Sequence, residues 1–246
     1  MLRLSLGQRP PAGHPSITEY PRCVELMMKV LRDNGLTIVL LLATLATIFG
    51  MVVTGLAVYN EELAQHGAPA ISFGEYVTTG HFLSALFENW ESEFLQMSAY
   101  VVLTAFLFQR GSAESKDPDE SSPQDADPAG EENTPDAPFS VRLGGLPRLL
   151  YSYSLGSVLF LLFVVSFVIH VRESVAAEAV QAVLHGQPKP DLSDHLFSAQ
   201  LWFESFQNWQ SEFLSTAVIV VLSIFLRFRG SPESKPVSAS HSETGA

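Results

Sequence analysis

The chain has 246 residues, of which 47% are hydrophobic and only 16% charged, with a formal net charge of −12. An ordinary soluble domain carries about 25% charged residues, so the depletion points to a membrane protein despite the acidic sum. The single cysteine, Cys23, excludes an internal disulfide, a CxxC redox pair and a thiolate zinc site. With no basic patch interleaved with aromatics, nucleic acid is not an expected partner.

Residues 1–28 carry Pro10, Pro11, Pro15 and Pro21 and read as a disordered leader. The first apolar run, Leu36 to Tyr59, holds no charge and exceeds the roughly 20 residues that cross a bilayer. It is also too long for the apolar core of a cleaved signal peptide. A second run, Phe94 to Phe108, is short, and recruiting the preceding turn from Trp90 gives a span over about 90–109. Residues 111–140 hold nine acidic side chains against Lys116, together with many Pro and Ser. They predict a disordered acidic linker. The third run spans 149–171 between Arg148 and Arg172, and the fourth, Phe213 to Leu226, extends back to Trp209 to give 209–227. Residues 230–246 read as a disordered tail.

Sliding the chain by 119 residues aligns Leu31–Lys116 with Leu150–Lys235 without a gap, and from Phe87 to Lys116 the match is 18 identities in 30 positions. The chain is therefore a tandem duplication, with a first repeat over 29–110 and a second over 141–229. Two spans per unit give both copies the same polarity, so the predicted fold is all-α, four transmembrane helices in two parallel two-helix repeats. Ser72 with Glu75 has capping-box spacing, and the offset places Asp191 and Asp194 at the same positions. An amphipathic stripe through Phe197, Leu201, Trp202, Phe206, Trp209 and Phe213 predicts interfacial helices before spans two and four. Trp90, Trp202 and Trp209 are the expected interfacial anchors.

Orientation follows from the basic residues. Of 14 Lys and Arg, all but Arg172 and Lys189 lie in the N-terminal segment, the central linker region or the C-terminal tail. The positive-inside rule places both termini and the linker in the cytoplasm, and the two acidic, aromatic-rich loops outside.

The closest match between copies is Phe-x-Asn-Trp-x-Ser-Glu-Phe-Leu. On a helix Asn89, Ser92 and Glu93 with Gln96 form one polar stripe, and Asn208, Ser211 and Glu212 with Ser215 form its counterpart. A parallel repeat brings Glu93 towards Glu212, where two carboxylates share a proton or bind a cation. The plainer alternative leaves both in water at the helix mouth, fixing depth, while Asn and Ser bond between helices. His66 and His185 recur in the loops with no metal-ligand spacing, and His170 stands alone near the end of span three, where it packs at the interface. No phosphate loop, nucleophile elbow or zincin motif occurs, so neither an enzyme, a metal nor a cofactor is expected.

Three groups of residues carry a resemblance: Lys29-Val30-Leu31-Arg32-Asp33-Asn34-Gly35-Leu36; the loop Tyr59-Asn60-Glu61-Glu62 with His66-Gly67; and Ser72-Phe73-Gly74-Glu75-Tyr76. The paired Asn-Trp-x-Ser-Glu-Phe and Arg-Gly-Ser-x-Glu-Ser-Lys elements add to them. From about Met28 onward the chain resembles a family of small bacterial membrane proteins classed only as a domain of unknown function. The resemblance implies a bacterial inner-membrane protein and brings no activity with it. The expected role is a non-enzymatic structural or accessory component with lipid and a second copy, or another membrane protein, as partners. The alternative is a small ion, proton or solute conduit lined by the stripes of spans two and four.

Overall fold

The computed structural model describes residues 22–131, 134 and 136–245; the predicted leader lies mostly outside these. The chain forms two units, Met1–Thr54 and Gly55–Ala246. Among the described residues all regular structure is helical. Three helices are long and apolar enough to cross a membrane: Val24–Gln65, Ser154–Leu184 and Ala199–Phe225.

The described part of the first unit is most of α1 (Arg22–Gln65), which departs from helical geometry at Asn34, where φ is −129°. The Asn34 amide donates back to the Val30 carbonyl at 3.1 Å. Beyond it Leu36, Leu45 and Phe49 are exposed, as lipid-facing side chains would be. Thr44, Thr47 and Thr54 donate to the carbonyls of Leu40, Ala43 and Gly50. Their hydroxyls are satisfied within the helix and need neither water nor a neighbour.

In the second unit, short α2 (Phe73–Tyr76) leads into α3 (Gly80–Phe106). Two small helices, α4 (Phe139–Leu143) and α5 (Gly145–Ser152), precede α6 (Ser154–Leu184). Then α7 (Leu192–Leu196) leads into α8 (Ala199–Phe225). The predicted capping box is present: Ser72 N–H donates to Glu75 Oε2 at 2.7 Å, and Glu75 N–H returns a bond to Ser72 Oγ at 3.4 Å. In the other copy Asp191 starts α7 without capping it, because its carboxylate takes the Ser193 hydroxyl at 2.6 Å instead. Thr79 and Ser198, 119 residues apart, cap α3 and α8 through the N–H groups of Phe82 and Leu201.

The interfacial helices predicted before spans two and four are not separate elements. The stripe from Leu201 to Phe213 belongs to α8 itself, which runs unbroken because nothing between Ala199 and Phe225 is Gly or Pro. Of the four predicted spans, α3 has the length of α8 but not its apolarity. It carries Glu88, Glu91 and Glu93, whereas α8 has Gln207 and Gln210 at the positions matching the first two. The third helix continues past the predicted end at Val171 to Leu184.

The core of this unit lies where α3 packs on α6 and α8. Gly80 lets the N-terminus of α3 touch α6: a Cβ there would lie 2.5 Å from the Glu173 carbonyl oxygen and 2.7 Å from the Ala177 nitrogen. Further along, Ser98 Oγ donates to the Gly156 carbonyl at 3.2 Å, so α3 and α6 run in opposite directions. Against α8 the pairs advance together, Asn208 with Glu88 and Gln96 with Thr216, so α3 and α8 run in the same direction.

The segments expected as tether and tail are held at their roots. Arg110 pairs with Asp119 at 2.6 Å and Lys116 with Asp125 at 2.5 Å. Lys235 is buried, its ammonium donating to the carbonyls of Gly111, Ser240, His241 and Glu243 at 2.6–3.2 Å. A cation surrounded by four carbonyl oxygens is satisfied without a counter-ion, which is how a tail rich in Ser and Pro folds back on the linker.

Candidate functional site

On α3, Glu88 and Glu91 are three residues apart and share one face. On α8, Glu204, Ser205 and Asn208 share another, and α6 supplies His170. Glu91 and His170 are both 0% exposed, and Ser205 is as deeply buried. His170 Nδ1 lies 2.9 Å from Glu91 Oε2, and Ser205 Oγ donates to Glu91 Oε1 at 3.1 Å. An ionised carboxylate only accepts, so Nδ1 is the donor and Nε2 is left with a free lone pair. That Nε2 is buried and has no hydrogen-bond partner.

Glu88 and Glu204 complete the centre. One ligand atom each from Glu88, His170 and Glu204 lie within 4.8 Å of one another. The Asn208 amide donates to Glu88 Oε1 and to the Glu204 carbonyl at 3.3 Å, which fixes Glu88 from the α8 side. Buried polar atoms are costly unless hydrogen-bonded; Ser205 does this for the second oxygen of Glu91, and nothing does it for His170 Nε2.

The sequence-predicted residues fall in two groups. Asn208 joins the buried centre. Ser92 is buried, but its hydroxyl bonds its own helix at the Asn89 carbonyl (2.8 Å), and Ser211 does the same to Asn208 (2.8 Å). Asn89 is exposed and bonds the Ala85 carbonyl at 2.8 Å. Glu93 and Glu212 do meet: Glu93 is exposed, Glu212 half-buried, and the two carboxyl groups interact with each other. Trp90 is at the helix surface against Phe87, while Trp202 packs tilted on Phe167 and Trp209 edge-on against Phe163 and Phe206. Trp202 donates to the Leu196 carbonyl at 2.9 Å, and these two rings pack between α6 and α8.

The expectation that His170 stands alone is corrected: it is the hub of the centre. Glu88, Glu91 and Glu204 were also passed over, because their counterparts at the 119-residue offset are Gln207, Gln210 and Ala85. An acid facing an amide of similar shape in an otherwise matched segment is the signal that could have found two of them.

Below the centre the α3–α8 contact stays polar. Glu93 and Glu212 are followed by Gln96 bonded to Thr216. A cavity of about 250 Å³ follows, lined by Tyr100, Thr104, Phe213, Thr216 and Val220 among others. Tyr100 Oη donates to Glu114 Oε2 at 2.8 Å, and Glu114 Oε1 is buried without a partner.

Two further polar corners lie at the loops. His195 is buried, with Nδ1 2.6 Å from Glu178 Oε2 and Nε2 2.9 Å from Ser174 Oγ. The order serine, histidine, carboxylate is that of a nucleophilic triad. Ser174, however, sits inside α6, whose backbone N–H groups are spent on the helix and offer no oxyanion hole. The corner fastens α7 to α6. His66 and His185 face each other edge-on at 4.8 Å, and Gln181 donates to Glu62 Oε1 at 2.8 Å, which ties the two loops together.

Fold and centre together define an all-helical protein, with helices apolar enough for membrane spans, that keeps a charged cluster in its interior. The chain matches the family described as Domain of unknown function (DUF6766) over residues 27–246 and belongs to it. No curated protein and no solved structure matches it.

Proposed function

We propose that the chain is a four-span protein of the bacterial cytoplasmic membrane, with both termini inside, in which the contact between α3 and α8 forms a small conduit for cations or protons. The observation that carries this reading is a succession of polar pairs along the α3–α8 contact. It runs from Glu88 and Asn208 through Glu93 and Glu212, then Gln96 and Thr216, to Tyr100 and Glu114. Ionisable groups inside a membrane bundle are expensive and mark ion pathways by default, and a merely structural contact between spans needs no more than small residues and an occasional hydroxyl. The parallel course of α3 and α8 and the twelve basic residues on one side support the two-repeat, inside-facing arrangement.

A second reading, an accessory component that self-associates or holds another membrane protein, is favoured by α1, whose Leu36, Leu45 and Phe49 remain exposed. Purified protein in liposomes separates the two. Cation or proton flux that disappears in the Glu93→Gln, Glu212→Gln double variant, with insertion intact, supports the conduit. Flux indistinguishable from empty liposomes, together with a partner crosslinked in native membranes, replaces it with the accessory role. Reporter fusions at Gln124 and His66 test orientation, and an outside signal at Gln124 overturns it.

A further inference from the structure

We infer that Glu88, His170 and Glu204 form a binding site for one divalent first-row transition-metal ion, with Glu91 as the residue that positions the imidazole. Two acidic residues near each other would not carry this. The independent observation is His170, fully buried, with Nδ1 committed to Glu91 and Nε2 left without a partner. A buried polar atom without a hydrogen bond is destabilising, and a coordinated ion removes that cost. With Nδ1 occupied, Nε2 is the nitrogen free to join the two carboxylates in the cluster whose ligand atoms lie within 4.8 Å of one another.

The arrangement is that of a ligating histidine whose other nitrogen donates to a carboxylate, which fixes the tautomer and raises the basicity of the ligand. Asn208 does the corresponding work for Glu88, holding Oε1 and leaving Oε2 available as a ligand. Ligands about 2.1 Å from a tetrahedral ion sit about 3.4 Å apart, so atoms already within 4.8 Å of one another need only a rotamer adjustment that half-buried glutamates can make. One imidazole and two carboxylates suit zinc, manganese or iron rather than copper(I), which prefers sulfur. Three protein ligands leave at least one position for water or a second group. The offset matches Glu88, His170 and Glu204 with Gln207, Met51 and Ala85, so the symmetry-related position lacks ligands and the stoichiometry is one ion per chain.

The inference goes beyond the conduit reading and does not need it, because it is tested by binding without a gradient. The full chain, purified in detergent and stripped with a chelator, is titrated with Co²⁺ followed by visible absorption, and Zn²⁺ is then added as a competitor. The expected result is one Co²⁺ per chain, displaced by Zn²⁺. Glu204→Gln should weaken binding at least tenfold, whereas Glu91→Gln should weaken it about 10–100-fold with the stoichiometry retained. Glu61→Gln, at an exposed position on α1, should leave it unchanged. Because His170→Gln disturbs a buried pair, Glu204→Gln, at a half-buried position, is the deciding variant. Absence of a Co²⁺ spectrum, or the same affinity in Glu204→Gln as in the unaltered chain, overturns the site. Either result leaves the flux measurement to decide the conduit by itself.

Discussion

In the first copy Gly55, Tyr59 and Tyr76 meet where α1 hands over to α2; 119 residues on, Ser174, Glu178 and His195 meet where α6 hands over to α7. The backbone course is shared, but the chemistry is not. Tyr76 fills the first corner, packing on Tyr59 at 5.8 Å and bonding His81 Nδ1 at 3.0 Å through its hydroxyl. His195 fills the second and is held at both nitrogens by Glu178 and Ser174. Gly55 is needed in the first because a Cβ there would lie 2.2 Å from Tyr76 Oη; the smaller imidazole leaves room for Ser174 in the second. The same divergence produced the buried centre, where Glu88 and Glu91 stand against Gln207 and Gln210. The two matched segments share the ends and caps of α3 and α8, while the caps of α2 and α7 and the interior side chains differ. The difference between copies is therefore a better guide to the charged interior than their identity.

The largest test of this comparison is Glu91→Ala against Gln210→Ala. The first strands His170 Nδ1 and the Ser205 hydroxyl in the core and should destabilise by about 2–5 kcal/mol, the cost of two unsatisfied buried polar groups. The second truncates an exposed residue and should stay within about 0.5 kcal/mol. Denaturant unfolding in detergent followed by Trp fluorescence measures both, and equal effects would erase the distinction between copies. Next come the reciprocal exchanges at the corners. Gly55→Ser forces buried Tyr76 aside and should cost about 1–3 kcal/mol. Ser174→Ala leaves His195 Nε2 without its partner and should cost about 1–3 kcal/mol. If either is silent, that corner is not packed as described.

The smallest expected effect is a pH dependence confined to the start of α2. Hydrogen bonds from the Ser72 backbone and hydroxyl hold the Glu75 carboxyl below its ordinary value. A depressed carboxyl contributes stability above its unfolded pKa of about 4.3, and that contribution is lost as pH falls through the folded value. The protection factor of the Ser72 amide, exchange relative to the free peptide at the same pH, should therefore fall in acid. Asp194, at the matching position, closes no such box, so exchange at Asp191 should respond less. The same acid response at both would make the capping box irrelevant.

Much of the architecture was legible in advance because it rests on local physics. Long uncharged runs need lipid or a core, Ser72 and Glu75 cap by spacing alone, and a gap-free 119-residue offset predicts matching helix ends. The meeting of Glu93 with Glu212 follows once two equivalent helices run in the same direction. What the chain did not disclose was the partner of His170. Glu91 lies 79 residues away on another helix, and which faces of α3, α6 and α8 turn inward depends on where Gly80 lets α3 touch α6. The sequence by itself determined where the long apolar helical segments lie and where the Ser72 cap falls, because these depend on neighbours along the chain. Only tertiary packing decided which of several glutamates is buried, since burial of a charge depends on the side chains that three separate helices bring to one point.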